Sequence, residues 1–214
     1  MTRLVIFDFD GTLGDTRANI VWTMRETIRI LGLAGRDEET IAATIGLPLE
    51  KGFLQLYPEL TEEGMRRCAA LYREIFERKR KELVPGLFPH VKETLSALKE
   101  RGFILTVASS RHLASLNIFL RDMGIAEFFS CVLGADSVEK AKPDPEPVLK
   151  TLRDLGIPAR ECLVVGDMPV DVMMGRAAGA RTCGVTYGNA SRASLSAAGA
   201  DFIVDDLSEM LSLV

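Results

Sequence analysis

Asp8 and Asp10 stand two residues apart in Asp8-Phe9-Asp10-Gly11-Thr12, directly after a short apolar run. Ser109-Ser110-Arg111 closes a second apolar run, and Ala141-Lys142-Pro143-Asp144 precedes an amphipathic stretch. A later run ends in Gly166-Asp167, with Asp171 four residues on. If these segments meet, hydroxyls, an ammonium and several carboxylates share one edge. Aspartates crowded in that way repel one another, so such a site needs a cation. Carboxylate oxygens without histidine or thiolate favour Mg²⁺ over zinc. A lysine, a serine hydroxyl and backbone N–H groups suit the outer oxygens of a phosphate. A carboxylate can attack phosphorus and carry the phosphoryl group as an aspartyl-phosphate. A second carboxylate two residues on can protonate the leaving oxygen and then activate water. Positioning and charge neutralisation do most of the work in phosphoryl transfer.

The elements that must position these residues are legible as alternating patterns. Leu4–Phe7, Phe103–Ala108, Cys131–Leu133, Cys162–Val165, Thr182–Thr186 and Phe202–Val204 are almost continuously apolar, as strands of a parallel sheet covered on both faces should be. Between them, Val91, Leu95 and Leu98 recur at helical spacing, as do Leu113, Leu116, Leu120 and Met123, and Val148, Leu152 and Leu155. Five of the expected helices run into a glycine, at Gly102, Gly124, Gly156, Gly179 and Gly199, each followed by an apolar residue or alanine. Glycine adopts the left-handed conformation at a helix C-terminus without steric cost, so these positions read as stops. The pattern predicts a Rossmann-like, doubly wound α/β fold, whose ligands sit beyond the carboxyl ends of the strands.

One stretch breaks the alternation. From Asp15 to Leu83 the sequence shows helical stripes (Val21, Met24, Ile28, Leu31, then Met65, Cys68, Tyr72, Ile75, Phe76) and no convincing strand. It ends at Val84-Pro85-Gly86, a turn signal. The expectation is a helical cap over residues 15–83, inserted into an α/β core of residues 1–14 and 84–214.

Composition narrows the partners. Of 214 residues, 47% are apolar and 26% charged, ample for a core, and the net charge of -4 gives nucleic acid no electrostatic support. The basic run Arg78 to Lys81 reads as a solvated helix face. No apolar run approaches the ~20 residues of a membrane span, and Met1 to Asp10 contains no signal-peptide core. Cys68, Cys131, Cys162 and Cys183 form no Cys-x-x-Cys pair and read as small buried hydrophobes in a reducing compartment, so the cytoplasm is expected. The chain is expected as a monomer or homodimer.

Taken together and in order, Asp8-Phe9-Asp10-Gly11-Thr12-Leu13, Ser109, Lys142 and Gly166-Asp167-x-x-x-Asp171 resemble the four motifs of the haloacid dehalogenase-like hydrolases. The resemblance covers the whole core and implies roles. Asp8 would be the nucleophile and a magnesium ligand. Asp10 would be the general acid and base, with its backbone carbonyl on the metal. Ser109, its neighbour Ser110 and Lys142 would hold the phosphoryl group. Asp167 would ligate Mg²⁺, and Asp171 would orient Lys142 or the metal's waters. The helical insert would be the family's C1 cap, closing over the substrate.

Within the family, the pair Asp8 and Asp10 points to phosphate chemistry rather than dehalogenation. Leu49 stands where phosphonate-cleaving relatives carry a lysine and where sugar-phosphate mutases carry an arginine. Ile20 stands near a mutase histidine. The pattern is therefore nearest to phosphoglycolate phosphatase-like enzymes acting on a small phosphorylated metabolite. A β-phosphoglucomutase-like transferase and an inorganic pyrophosphatase are the alternatives. A non-enzymatic regulator that binds a phosphorylated ligand is a third, and a signalling receiver domain is disfavoured by Asp10 and the cap. Gly14 replaces a larger apolar residue and could loosen a hinge. Arg17, Arg25, Lys51 and Arg111 could each meet a substrate carboxylate or be ordinary surface charges.

Overall fold

The computed structural model describes residues 2–79, 82 and 85–214. Six strands form one parallel sheet: β1 (Leu4–Phe7), β4 (Ile104–Ala108), β5 (Cys131–Leu133), β6 (Cys162–Gly166), β7 (Arg181–Val185) and β8 (Phe202–Val204). Their order is β5-β4-β1-β6-β7-β8. β1 is central, with β4 on one side and β6 on the other, so the chain reverses direction across the sheet there. That reversal opens a crevice at the carboxyl ends of the strands.

Alternate residues of β1 point to opposite faces. Val5 and Phe7 pack with Val91, Leu95 and Leu98 of α5 (Val91–Glu100) and Leu116 and Leu120 of α6 (Leu113–Asp122). Leu4 and Ile6 pack with Val148 and Leu152 of α7 (Glu146–Leu155) and Met174 of α8 (Pro169–Ala177). A ninth helix, α9 (Arg192–Ala197), lies against β7 and β8. The two-sided cover and the expected strands are both present.

Between β1 and α5 the chain forms α1 (Arg17–Ile30), α2 (Glu38–Ala42), α3 (Leu49–Leu56) and α4 (Glu62–Lys79). α1 and α3 pack on α4. Val21, Met24, Ile28, Cys68, Tyr72 and Phe76 are buried in the same cluster as the α5 and α6 face of the sheet. Two short strands lie beside this region, β2 (Gly14–Asp15) and β3 (Gly86–Leu87), paired antiparallel. They lie where no strand was expected, because two residues carry no period to read. Gly14 is not a loose position: a Cβ there would press on Phe9, Thr16 and Met123 at 3.1–3.4 Å. Val84, Arg80, Lys81 and Leu83, and with them the expected turn, the end of the basic run and the cap boundary, lie outside the described residues. The cysteines are free; three are buried and Cys131 is partly so. No helix among the described residues is long and apolar enough to cross a membrane.

The glycine stops behave as one device. Gly102, Gly124, Gly156, Gly179 and Gly199 all have φ between 63° and 84°. The residue after each donates its N–H to the carbonyl five positions back, as in Phe103 to Leu98 and Ile157 to Leu152, both at 3.0 Å. This is the Schellman closure. It also explains why β4 starts at Ile104 and not Phe103: the Phe103 N–H belongs to the preceding helix. Gly32, at φ 65°, ends α1 in the same way through Leu33 and Ile28, a stop that the sequence reading passed over.

At Gly156 a Cβ would meet nothing within 4 Å, so the backbone angle is the sole obstacle to a side chain. Gly156→Ala is expected to lower unfolding stability by about 1 kcal/mol in urea titrations without changing enzymatic rate. A neutral or stabilising result would mean that the turn relaxes away from positive φ.

Candidate active site

The carboxyl ends of β1, β4 and β6 bring the motif residues together. Asp8 follows β1, Ser109 follows β4 and Asp167 follows β6. Lys142 arrives from the loop before α7, and Asp171 from the first turn of α8. Close approach requires small backbone. Gly11 has φ 85°, and a Cβ there would collide with the carboxylate of Asp167 and the amide of Asn189.

Lys142 is the hub. Its side chain is 2% exposed, and Nζ donates to Asp8 Oδ1 and to Asp171 Oδ1, each at 2.6 Å. Asp171 Oδ2 accepts the Met168 N–H at 3.1 Å, so the same side chain caps α8 and holds Lys142. The capping and functional readings of Asp171 are therefore compatible. Asp167 accepts from Thr12 Oγ1 at 3.2 Å, and from the N–H and side-chain amide of Asn189 at 2.7 and 2.8 Å.

Asp8, Asp167 and Asp171 each offer an oxygen within 4.8 Å of the others, and all three are buried. Against these carboxylates stands the single ammonium of Lys142. Burial, followed by the negative charge of Asp171, pushes the Asp167 carboxyl up to about 7. Burial also pushes Asp8 well above the usual carboxylate range; Lys142 opposes this, and Asp171 and Asp167 add to it. Burial alone would lower the Lys142 pKa, but Asp171 and Asp8 outweigh it and keep the ammonium charged. Asp8 Oδ2 is buried and accepts no hydrogen bond. Three buried carboxylates within reach of one another form a set of hard donors that fits a divalent cation.

Asp10 turns the other way. Its Oδ1 accepts from Thr16 Oγ1 at 2.7 Å and Arg111 Nη2 at 2.6 Å, and its Oδ2 accepts from Arg111 Nε at 3.1 Å. Its carboxylate thus lies outside the acidic cluster. Arg111, for which the sequence allowed an exposed loop position, has a side chain only 9% exposed. Its guanidinium lies 4.7 Å from the ring centroid of Phe119 and 5.3 Å from that of Phe76. Ser109 Oγ accepts the Arg111 N–H at 3.1 Å, which places it in the motif loop. Ser110, in contrast, donates to the Gly46 carbonyl at 2.6 Å and so joins the core loop to the turn before α3. Arg17 pairs with Glu39 at an exposed position. The sequence reading missed Thr12, Thr16 and Asn189. The threonines had a signal in their nearness to Asp8 and Asp10, whereas Asn189 had none, since only folding carries the segment after β7 to Asp167.

A family model described as haloacid dehalogenase-like hydrolase matches residues 5–185. The chain belongs to the haloacid dehalogenase-like hydrolases. This hydrolase is 42% identical to the Probable phosphatase IndB of Dickeya dadantii, over 99% of this chain and 93% of that one. It is 34% identical to the pyrophosphatase PpaX of Bacillus velezensis, over 98% and 94%. It is 31% identical to a phosphoglycolate phosphatase of Vibrio vulnificus, over 99% and 96%. The crystal structure of a haloacid dehalogenase-like hydrolase from Bacteroides fragilis superposes with a TM-score of 0.93 at 28% identity, covering 98% of this chain and 100% of that one. The sequence expectation of a phosphatase in this family is met, and the chain is an enzyme of that class.

The acidic cluster makes stability depend on pH and on cations together. Asp167 titrates near 7 when folded and near 3.8 when unfolded, so the folded state holds the extra proton between these values. Where the folded state binds more protons, stability falls as pH rises. The cation-free hydrolase should therefore lose stability as pH rises from about 4 to about 7. A divalent cation needs the deprotonated carboxylates, so Mg²⁺ is expected to raise Tm more at pH 8 than at pH 5.5. An equal rise at both values, measured by thermal melts with Mg²⁺ and with EDTA, would remove the cation from this cluster.

Proposed function

We propose that this phosphatase hydrolyses a small phosphomonoester with Asp8 as its nucleophile. The observation that carries the reading is the state of Asp8. One carboxylate oxygen is pinned by Lys142, and the other is buried and unbonded. A nucleophile held by one oxygen and open at the other is positioned for attack. Asp8 Oδ2 bonds to phosphorus as the ester P–O bond breaks, and the leaving oxygen takes a proton from Asp10. Asp10, now a carboxylate, then takes a proton from water, whose oxygen attacks phosphorus and releases Asp8 and inorganic phosphate. Lys142 stays charged throughout and offsets the negative charge on Asp8 and on the phosphoryl oxygens. Ser109 would hold the phosphoryl group, while Ser110 is taken up by Gly46.

The hard oxygen donors favour Mg²⁺, held by Asp8 and Asp167 with the Asp10 backbone carbonyl, and it would neutralise the phosphoryl charge. Asp171 would act by orienting Lys142. The three hydrogen bonds that Asp10 accepts from Arg111 and Thr16 set its orientation. We read residues 15–83 as the cap over the core formed by 1–14 and 84–214, because four helices fill the described part of that interval and α3 follows the turn that Ser110 grips. The free cysteines suit a reducing, cytoplasmic compartment, and the net charge of -4 gives nucleic acid no electrostatic support.

Asp8→Asn is expected to abolish phosphate release while the fold persists, because Lys142 keeps Asp171 as a partner. Circular dichroism with a phosphate-release assay checks both halves, and a folded, active Asp8→Asn enzyme would overturn the assignment. Asp10→Ala should bind phosphate yet lose about 10²–10⁴-fold in kcat. Arg111→Lys cannot reproduce the two-pronged grip on Asp10 and should lose up to about 10²-fold in kcat through misplacement. Unchanged kcat in Arg111→Lys would show that Asp10 needs no such holder.

A further inference from the structure

A cavity of about 330 Å³ is lined by residues of α1, α3 and α4 and by Asp10, Ser110 and Arg111. This is within the ~300–1,000 Å³ typical of small-molecule sites. It lies where the group leaving the phosphorus would stand, since Asp10 is the proposed proton donor to that group.

Most of the wall surface is apolar, and Glu50 and Glu77 add carboxylates to it beside Asp10. Ile20 and Met24 come from α1, Ile45 from the turn after α2, Leu49 from α3, and Tyr72 and Phe76 from α4. Two hydroxyls on the lining are already spent: Ser110 donates to the Gly46 carbonyl and Thr44 to the Ile41 carbonyl, at 2.6 and 2.7 Å. Among the described lining residues the cationic candidates are Arg73, Arg111 and His112. Each has a carboxylate beside it. Arg73 pairs with Glu50 at 2.6 Å, Arg111 with Asp10 at 2.6 Å, and His112 with Asp136 at 3.1 Å. Arg17, Arg25 and Lys51, the other cations singled out in the sequence, do not line the cavity.

A second anionic group on the substrate would therefore enter an apolar chamber whose cations are already matched. Burying an unmatched anion is strongly unfavourable. Pyrophosphate and phosphoglycolate both carry such a group, and each has a leaving part of only a handful of non-hydrogen atoms. We propose that the leaving group of this phosphatase is an uncharged organic alcohol that presents apolar surface to the walls of this cavity. The inference rests on the proposed function above and deepens it to a substrate class.

The test compares phosphate release, with Mg²⁺, from benzyl phosphate, ethyl phosphate, 2-phosphoglycolamide, 2-phosphoglycolate and pyrophosphate. 2-Phosphoglycolamide and 2-phosphoglycolate differ in charge at nearly constant shape. Benzyl and ethyl phosphate differ in apolar surface. The expected result is a kcat/KM for 2-phosphoglycolamide at least about tenfold above that for 2-phosphoglycolate, and for benzyl phosphate about tenfold above ethyl phosphate. Leu49→Lys, at a half-buried position on the cavity wall, should narrow the first ratio by about tenfold by supplying an unmatched cation. Faster turnover of 2-phosphoglycolate or pyrophosphate than of the neutral esters would overturn the substrate class and leave Asp8 in place. Release from none of the five, or equal release by Asp8→Asn, would instead overturn the proposed nucleophile and the substrate class together.

Discussion

The structure depends on the neutralisation of buried aspartates by one lysine. Asp8, Asp167 and Asp171 converge with almost no exposure to water, and Lys142 bonds directly to two of them. Such a cluster is unfavourable by itself, since burial penalises each charge and the charges repel. It persists because surrounding structure fixes every member. Asp171 caps its own helix, Asp167 is gripped by Thr12 and Asn189, and Lys142 is walled in. The remaining imbalance of charge is what a divalent cation and a phosphoryl group would respectively relieve and exploit. A comfortable cluster would have little affinity for either.

The fold explains how residues 134 positions apart come within a hydrogen bond. β1 lies between β4 and β6, so the loops leaving these strands face one crevice. The strands are apolar on both faces, which fixes the sheet between two helical layers and leaves the strand ends as the place where polar side chains gather. Glycine stops hold the helices to length, so that strands restart in register. The chemistry of the edge is thus supported by an interior with little chemistry of its own.

Asp10 belongs to a second, separate system. Although only one residue lies between it and Asp8, its side chain bonds to Arg111 and Thr16, and Asp10 and Arg111 both line the cavity. A regular strand would aim residues two apart at one face, but the chain leaves β1 at Phe7 and turns at Gly11 (φ 85°), so the two carboxylates serve different neighbourhoods. Asp8 faces charge and Asp10 faces the cavity. Arg111 lies against the rings of Phe76 and Phe119, one from α4 and one from α6 beside the sheet.

The sequence by itself determined the parts that depend on local rules. Continuous apolar runs identified the six strands, helical spacing the core helices, and glycines the stops, because backbone geometry ties each pattern to neighbours in the chain. The order of Asp8, Ser109 and Asp167 at strand ends, with Lys142 in the loop before a helix, was legible for the same reason. Tertiary structure alone decided what these side chains touch. It buried Arg111 against Asp10, sent Ser110 to Gly46, and brought Asn189 to Asp167 across a separation of 22 residues. It also formed the two-residue strands at Gly14 and Gly86, which are too short to carry a period. A residue's type states what it can bond to, but its partner is chosen by packing between distant segments, and no local pattern records that choice.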